Sequence, residues 1–588
     1  MIKRFVAALL FAPLIIALAS TPAQASAYDA HPKLVVIIVI DQFRGDYLER
    51  YRADFKGRGF RLFMDKGAYF TDCYYDYANT KTAPGHATIG TGAYTDGHGI
   101  GSNEWWDTSR QKDRPISSVE DPRYTIVGLP SGATPPIGAS PLNLHASTIG
   151  DELSLATQGQ SRLYGISLKD RAAILPTGAT ANGAFWIDAT SGRFITSSYY
   201  MTALPDWAQQ FNDGPRIQQA ITESGADNPI SFYATVGRTP AADSYELDFA
   251  RALITNEHLG SGPTTDLLTI SLSANDILGH SVGPDDPAEK EMVDSLDQDF
   301  DAFFTWLDKN IPGGLANVWI ALSADHGIAP VPAEAARLGL NAASINLTAL
   351  LDSLNAAVNL KFSPGEHIPY FFPRQELPYL ALNRDVFEKA GINEQEAEDE
   401  AKTALPDAFA SLSPALAAAP EPAPPGTTPA PSPGRIPPVP ALYRAYTRLD
   451  LEAGKVPPTD FGLILAHSYT PNGGWYVMAI PAAFQMEALS GALTTHFSPW
   501  SYDRHVPLAF FGAPFTPGTY HEPVEPTDIA VTLASLLGVN HPSASVGHVL
   551  LHAIHPVAAP STAEKPSRKP RASRQKAAPG PEKGPAKP

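Results

Sequence analysis

The chain is poor in cysteine, with Cys73 alone among 588 residues. A single thiol excludes an internal disulfide framework, and in its apolar surroundings Cys73 reads as a small core residue. Positive charge is also scarce: 43 Lys and Arg face 61 Asp and Glu, for a formal charge of −18. Lys3 and Arg4 carry +2, and residues 556–588, with eight Lys/Arg against two Glu, carry +6, so residues 26–555 hold −26. Such an excess excludes nucleic acid as a specific partner. It also disfavours an anionic substrate unless metal ions reverse the sign locally. After the N-terminus no apolar run reaches the ~20 residues a membrane span requires, and no internal repeat is present.

What the N-terminus does have is an export signal. Lys3 and Arg4 precede an apolar run over residues 5–18, and Ala23-Gln24-Ala25 follows as a small-x-small cleavage site. Residues 1–25 are therefore expected to be a signal peptide and the chain periplasmic or secreted; an uncleaved anchor would need a longer run. Proline is abundant, 56 residues, but unevenly placed. Residues 414–440 are dominated by Ala and Pro and read as a spacer, and residues 556–588 as a disordered basic tail.

Between these segments the pattern is that of an α/β protein. Residues 33–40 form an unbroken β-branched run, as in strands buried on both faces of a parallel sheet. Residues 163–168, 266–272, 317–322 and 505–512 repeat the pattern, residues 68–77 alternate as a strand, and 184–188 with 193–196 read as a hairpin. Helices are expected at 60–66, 86–91, 148–156, 287–310, 393–410 and 528–537, whereas 105–145 gives only a loop. The alternation predicts a doubly wound, mostly parallel sheet with helices on both faces. Residues 333–465 interrupt it as an inserted cap or loop region, dividing the α/β domain into 26–332 and 466–555.

Acidic and imidazole residues stand just after these strands or in adjacent loops: Asp41, Asp276 with His280, Asp325 with His326, and His496. In an open α/β sheet the ligand binds at the carboxyl ends of the strands. Asp276 and His280 are four apart, so one helical turn puts them on a common face. Asp325 and His326 are adjacent and share one ion only in a bent loop, which Gly327 permits. Singly, each has a plainer reading as a cap, a local hydrogen bond or a solvated loop residue. Jointly, oxygen and imidazole donors without thiolate suit Zn²⁺ ahead of Mn²⁺ or Co²⁺. The stretch 77–103 supplies a partner. Thr80 or Thr82 stands at a helix start, with Pro84 in the first turn. A threonine there is an ordinary cap, or a nucleophile if a metal activates it beside the positive helix end.

The motifs I-D-Q-F-R at 40–44, N-T-K-T-A-P-G-H at 79–86, D-I-L-G-H at 276–280, A-D-H-G at 324–327, and T-T-H ahead of Y-D-R-H-V-P within 494–507 resemble the alkaline phosphatase superfamily. Within it the chain is most similar to the PafA-type secreted bacterial phosphatases with a threonine nucleophile, relatives of the nucleotide pyrophosphatase/phosphodiesterases. The likeness spans about 33–345 and 460–550. It implies an alkaline-phosphatase-like fold and hydrolysis of small-molecule phosphate monoesters through a phosphothreonine on Thr82. It implies two Zn²⁺ per chain, one held by Asp41, Asp325 and His326 with Thr82, the other by Asp276, His280 and His496. His505 is the alternative last ligand, and Phe497 stands where the resemblance implies glycine. Asn103, Lys169 and Arg171 would grip the phosphoryl oxygens. A nucleotide phosphodiesterase using the same metals is the alternative enzyme, and an exported binding protein the alternative without turnover. Cys73 lacks the C-x-P-x-R context of a sulfatase. A monomer is favoured.

Overall fold

The computed structural model describes residues 31–106, 114–226, 231–412 and 439–555. The expected signal peptide, basic tail and most of the spacer lie outside the described residues. An eleven-stranded sheet organises the chain. At its centre run five parallel strands in the order Val318–Ser323, Leu34–Ile40, Asp266–Leu272, Leu163–Ser167 and Gly183–Ile187. His505–Phe511 joins antiparallel beside Val318–Ser323, followed by Ala68–Tyr74 and Gly518–Tyr520. On the other flank come Phe194–Ser197, Glu120–Val127 and Ile137–Ala139, all antiparallel to their neighbours.

Every residue of Leu34–Ile40, Asp266–Leu272 and Val318–Ser323 is buried. Successive side chains of a strand face opposite ways, so both faces of the sheet are covered. Two groups of helices do the covering. Thr82–Thr91, Ile149–Ala156, Asp170–Ile174 and Asp528–Leu537 pack together, and so do Phe60–Lys66, Pro240–Asn256, Ala274–Val282 and Pro287–Asn310. Their starts carry local signals: Thr148 and Asp151 form a capping box, and Asp286 accepts from the Ala288 N–H ahead of Pro287. Cys73 is buried, as expected.

Three features depart from the sequence reading. The region expected as a loop, 105–145, holds Glu120–Val127 and Ile137–Ala139 near one margin of the sheet, where Pro122 and a register shift mask the strand pattern. The helix expected at 86–91 begins at Thr82, since Pro84 suits its first turn and Gly85 packs within it. The inserted region is itself folded. Tyr379–Ala381, Tyr476–Pro481 and Leu442–Thr447 form an antiparallel sheet, with Leu347–Phe362 and Glu394–Ser411 packed together over a core including Leu354, Leu380, Leu405 and Val477. Its central strand lies beyond residue 465, where the sequence placed the return to the main sheet. An apolar run such as Tyr476–Pro481 declares that it is buried, not which sheet it joins. Among the described residues no helix is long and apolar enough to cross a membrane.

Candidate active site

Register explains why distant residues meet. Ile40 pairs with Leu272, and Val39 with Ser323. Asp41, the Ala274–Val282 helix and Asp325 therefore leave the sheet at one level of one edge. The Asp41 N–H donates to the Leu272 carbonyl at 2.9 Å, which holds the two strand ends together. Asp276 and His280 lie on one face of their helix, His280 Nε2 being 3.2 Å from Asp276 Oδ1. His326 Nε2 lies 3.5 Å from Asp41 Oδ1 and 3.6 Å from Asp325 Oδ2. The loop after Asp325 bends against its neighbours: a Cβ on Gly327 would sit 2.3 Å from the Tyr502 carbonyl. Glycine is needed there for close approach rather than for a left-handed turn.

The structure brings His496, not His505, to this edge. His496 Nδ1 bonds the Thr80 carbonyl at 2.7 Å and Nε2 lies 3.8 Å from Asp276 Oδ1. Its ring stacks on His326 with centroids 3.6 Å apart. His505 instead bonds the Thr71 carbonyl at 3.1 Å and stacks on Tyr74. Phe497, where the resemblance implies glycine, takes a left-handed φ of 95°, with its ring 4.6 Å from the Lys81 ammonium.

Thr82 is the first residue of its helix, one position inside the cap, and among the described residues no hydrogen bond engages its hydroxyl. Thr80 is committed elsewhere: its Oγ1 accepts from the Ser498 N–H at 3.0 Å. Asn103 Oδ1 accepts from the Ala83 N–H at 2.8 Å, which fixes the carboxamide beside the helix start. Asn103 and Arg171 line a cavity of about 590 Å³ together with Lys81, Trp105, Phe497 and, from the inserted region, Glu376, Tyr379 and Tyr476.

Lys169 lies against the acids. Its ammonium is 2.5 Å from Asp41 Oδ2 and 2.6 Å from Asp276 Oδ2, and the side chain is 3% exposed. It is a counter-ion to these two buried carboxylates, which attract the nearest flexible ammonium. Two residues without a role in the sequence reading also belong here. Gln42 bonds both Asp276 and Asp325. His86 bridges the Thr82 carbonyl and the Ser271 hydroxyl, each at 2.7 Å. No spacing marks either; Gln42 is detectable only as the neighbour of Asp41 at a strand end.

Burial dominates the electrostatics. It drives His326 down to about 3 and His86 to about 4, and with His326 and His280 it holds His496 well below its ordinary value. Burial thus favours neutral His326 and His496, the form a metal ligand takes, whereas at His280 burial is outweighed by Asp276 and the pKa is raised. Burial and then Asp41 push Asp325 well above the carboxylate range. Burial opposes ionisation of Asp276, but Lys169, then His280, outweigh it and lower its pKa.

Three buried atoms test whether a cation fits. Asp41 Oδ1, Asp325 Oδ2 and His326 Nε2 have no hydrogen-bond partner, although they face one another. An unpaired buried polar group costs roughly 1–3 kcal/mol, and a charged one more, so three such atoms facing one another suit a shared cation. Asp276, His280 and His496 offer ligand atoms within 4.8 Å of one another, as do Asp41, Asp276 and His326.

Sheet edge, clustered imidazoles and orphaned carboxylate oxygens together define a class, the metal-dependent hydrolases built on an open α/β sheet. The chain belongs to the Type I phosphodiesterase / nucleotide pyrophosphatase family, whose profile matches residues 35–405. It is 31% identical to alkaline phosphatase PafA of Elizabethkingia meningoseptica over 89% of this chain and 94% of that one. It is likewise 31% identical to alkaline phosphatase PhoV of Synechococcus elongatus, over 89% and 92%. A crystal structure of wild-type alkaline phosphatase PafA superposes with a TM-score of 0.76 at 29% identity, covering 89% of this chain and 99% of the other.

Proposed function

We propose that this chain hydrolyses phosphate monoesters by in-line attack of the Thr82 hydroxyl at a site for two zinc ions. That it is a phosphate monoester hydrolase of the alkaline phosphatase kind rests on its kinship with PafA and PhoV over nearly the whole chain. The facing orphaned atoms of Asp41, Asp325 and His326 carry the metal reading. Those three residues with Thr82 would hold one ion, and Asp276, His280 and His496 the other; six oxygen and imidazole donors without sulfur suit Zn²⁺. Bound there, two such ions supply a threonine alkoxide and stabilise the departing oxygen.

The protein's own groups do the rest. Thr82 stands at the positive end of its helix, which favours an anionic phosphoryl group. Asn103, anchored through Oδ1, turns its Nδ2 donor to the non-bridging oxygens, and Arg171 offers a planar pair of donors. Both act where charge gathers in a loose phosphoryl-transfer transition state. Lys169, on Asp41 and Asp276, offsets the excess negative charge of the ligand set. Glu376, Tyr379 and Tyr476 of the inserted region line the same cavity as Asn103 and Arg171. Residues 1–25, read as a signal peptide, would send the enzyme to the periplasm or out of the cell.

Acid-quenched turnover of a ³²P-labelled monoester tests the nucleophile. Label is expected on Thr82, lost in Thr82→Ala and retained in Thr80→Ala; label on Thr80, or none, overturns the assignment. A panel of monoesters and diesters addresses the phosphodiesterase alternative that the family name raises. Arg171→Ala should lower monoesterase activity more than any diesterase activity, because the extra monoester charge meets the guanidinium.

A further inference from the structure

We infer that Gln42 is a positioning residue that locks the two groups of candidate metal ligands to each other. The inference rests on the metal reading of the site given above. Gln42 follows Asp41 directly, and its backbone has a φ of 66°. That left-handed conformation is unfavourable for a residue with a side chain and persists where surrounding contacts over-determine it. Here the contacts are on the ligands themselves. The Gln42 backbone N–H donates to Asp325 Oδ1 at 3.0 Å, while its carboxamide Nε2 donates to Asp276 Oδ1 at 2.7 Å. One residue thus bonds a carboxylate from each expected ligand group, from a strand end that also carries Asp41.

The bonds leave the facing atoms free. Asp325 Oδ1 is taken by Gln42 and by the His326 N–H, which turns Oδ2 toward His326 Nε2. Asp276 Oδ1 is the oxygen nearest His280 and His496, so the carboxamide fixes the oxygen that those imidazoles share. The amide orientation follows from charge: the reverse orientation would set Oε1 against a carboxylate. Oε1 instead is buried without a hydrogen-bond partner and lies on Gly279, where an added Cβ would stand 2.2 Å from it. Gly279 belongs to the helix bearing Asp276 and His280. The absence of a side chain there is what lets the carboxamide lie flat on that helix.

Groups that orient metal ligands typically contribute 10–100-fold to metal affinity. The full chain, loaded with zinc, should be dialysed against a graded series of chelator concentrations, with metal content read by plasma mass spectrometry and folding by circular dichroism. The wild type is expected to keep both ions at chelator concentrations where Gln42→Ala has lost one, the loss midpoint moving 10–100-fold. Gln42→Gly relieves the backbone conformation but lacks the carboxamide, so it should lose the ion as readily as Gln42→Ala. Gly279→Ala should do the same from the opposite side of the contact, which keeps the test sound should one Gln42 variant fold poorly. Retention of both ions by the Gln42 variants across the series overturns the inference, as does rescue by Gln42→Gly alone. A wild type that binds no metal overturns the two-metal reading itself, and this inference with it.

Discussion

Gly85 gives the sharpest test of how the nucleophile helix is placed. It lies three residues after Thr82, in the first turn of Thr82–Thr91. A Cβ there would fall 2.2 Å from the carbonyl oxygen of Asp325 and 2.7 Å from its carbonyl carbon. Ordinary contact begins near 3.4 Å, so the helix and the Asp325 backbone must separate by about 1 Å. On propensity alone Gly85→Ala would stabilise the helix by about 1 kcal/mol. Overpacking against backbone that cannot rotate away costs about 1–3 kcal/mol, so a net loss of stability is expected. Activity should suffer more, because a misplacement of about 1 Å between reacting groups costs on the order of 100-fold, or about 3 kcal/mol of barrier. The assay is kcat/KM on an aryl phosphate, with thermal melting and zinc content measured on the same protein. A Gly85→Ala variant that melts higher and turns over at the wild-type rate would refute the claim that this helix is set by its contact with Asp325.

Two further outcomes are expected. His496→Ala should lose zinc and activity by at least the 10–100-fold seen for weaker, outer contacts, whereas His505→Ala should keep its zinc, since the His505 imidazole bonds the Thr71 carbonyl and stacks on Tyr74. Equal zinc loss in both variants would contradict the assignment. His98, away from the metal ligands, bears on acid stability. It is buried, its Nδ1 accepts from the Ile100 N–H at 3.1 Å, and burial, then His145, lowers it to about 3. Its folded pKa lies below the unfolded value near 6.5. The unfolded chain therefore takes the proton first, and stability present above pH ~6.5 is lost as pH falls toward 3, at roughly 1 kcal/mol per pH unit. His98→Gln should flatten the fall in melting temperature between pH 6.5 and 4 relative to wild type; an unchanged slope would show that this imidazole is not held neutral.

Much of the site was legible because chemistry and periodicity coincide along the chain. Residues 34–40, 266–272 and 318–323 are apolar on both faces, which marks central strands, and an acid follows each within a few residues. The spacing of Asp276 and His280 is one helical turn, so a local rule sufficed to put them on one face. The sequence by itself thus determined the α/β class and which acids and imidazoles could converge. Local pattern carries no information about pairing between distant segments. Only the tertiary structure could decide that Glu120–Val127 joins the main sheet, that Tyr476–Pro481 belongs to the inserted one, and that His496 rather than His505 reaches Asp276. The same holds for Lys169, drawn onto Asp41 and Asp276, and for Gln42, whose contacts at Asp325 and Asp276 lie 283 and 234 residues away. Those choices follow from sheet register and from the burial of charge, which act between surfaces that meet only once the chain has folded.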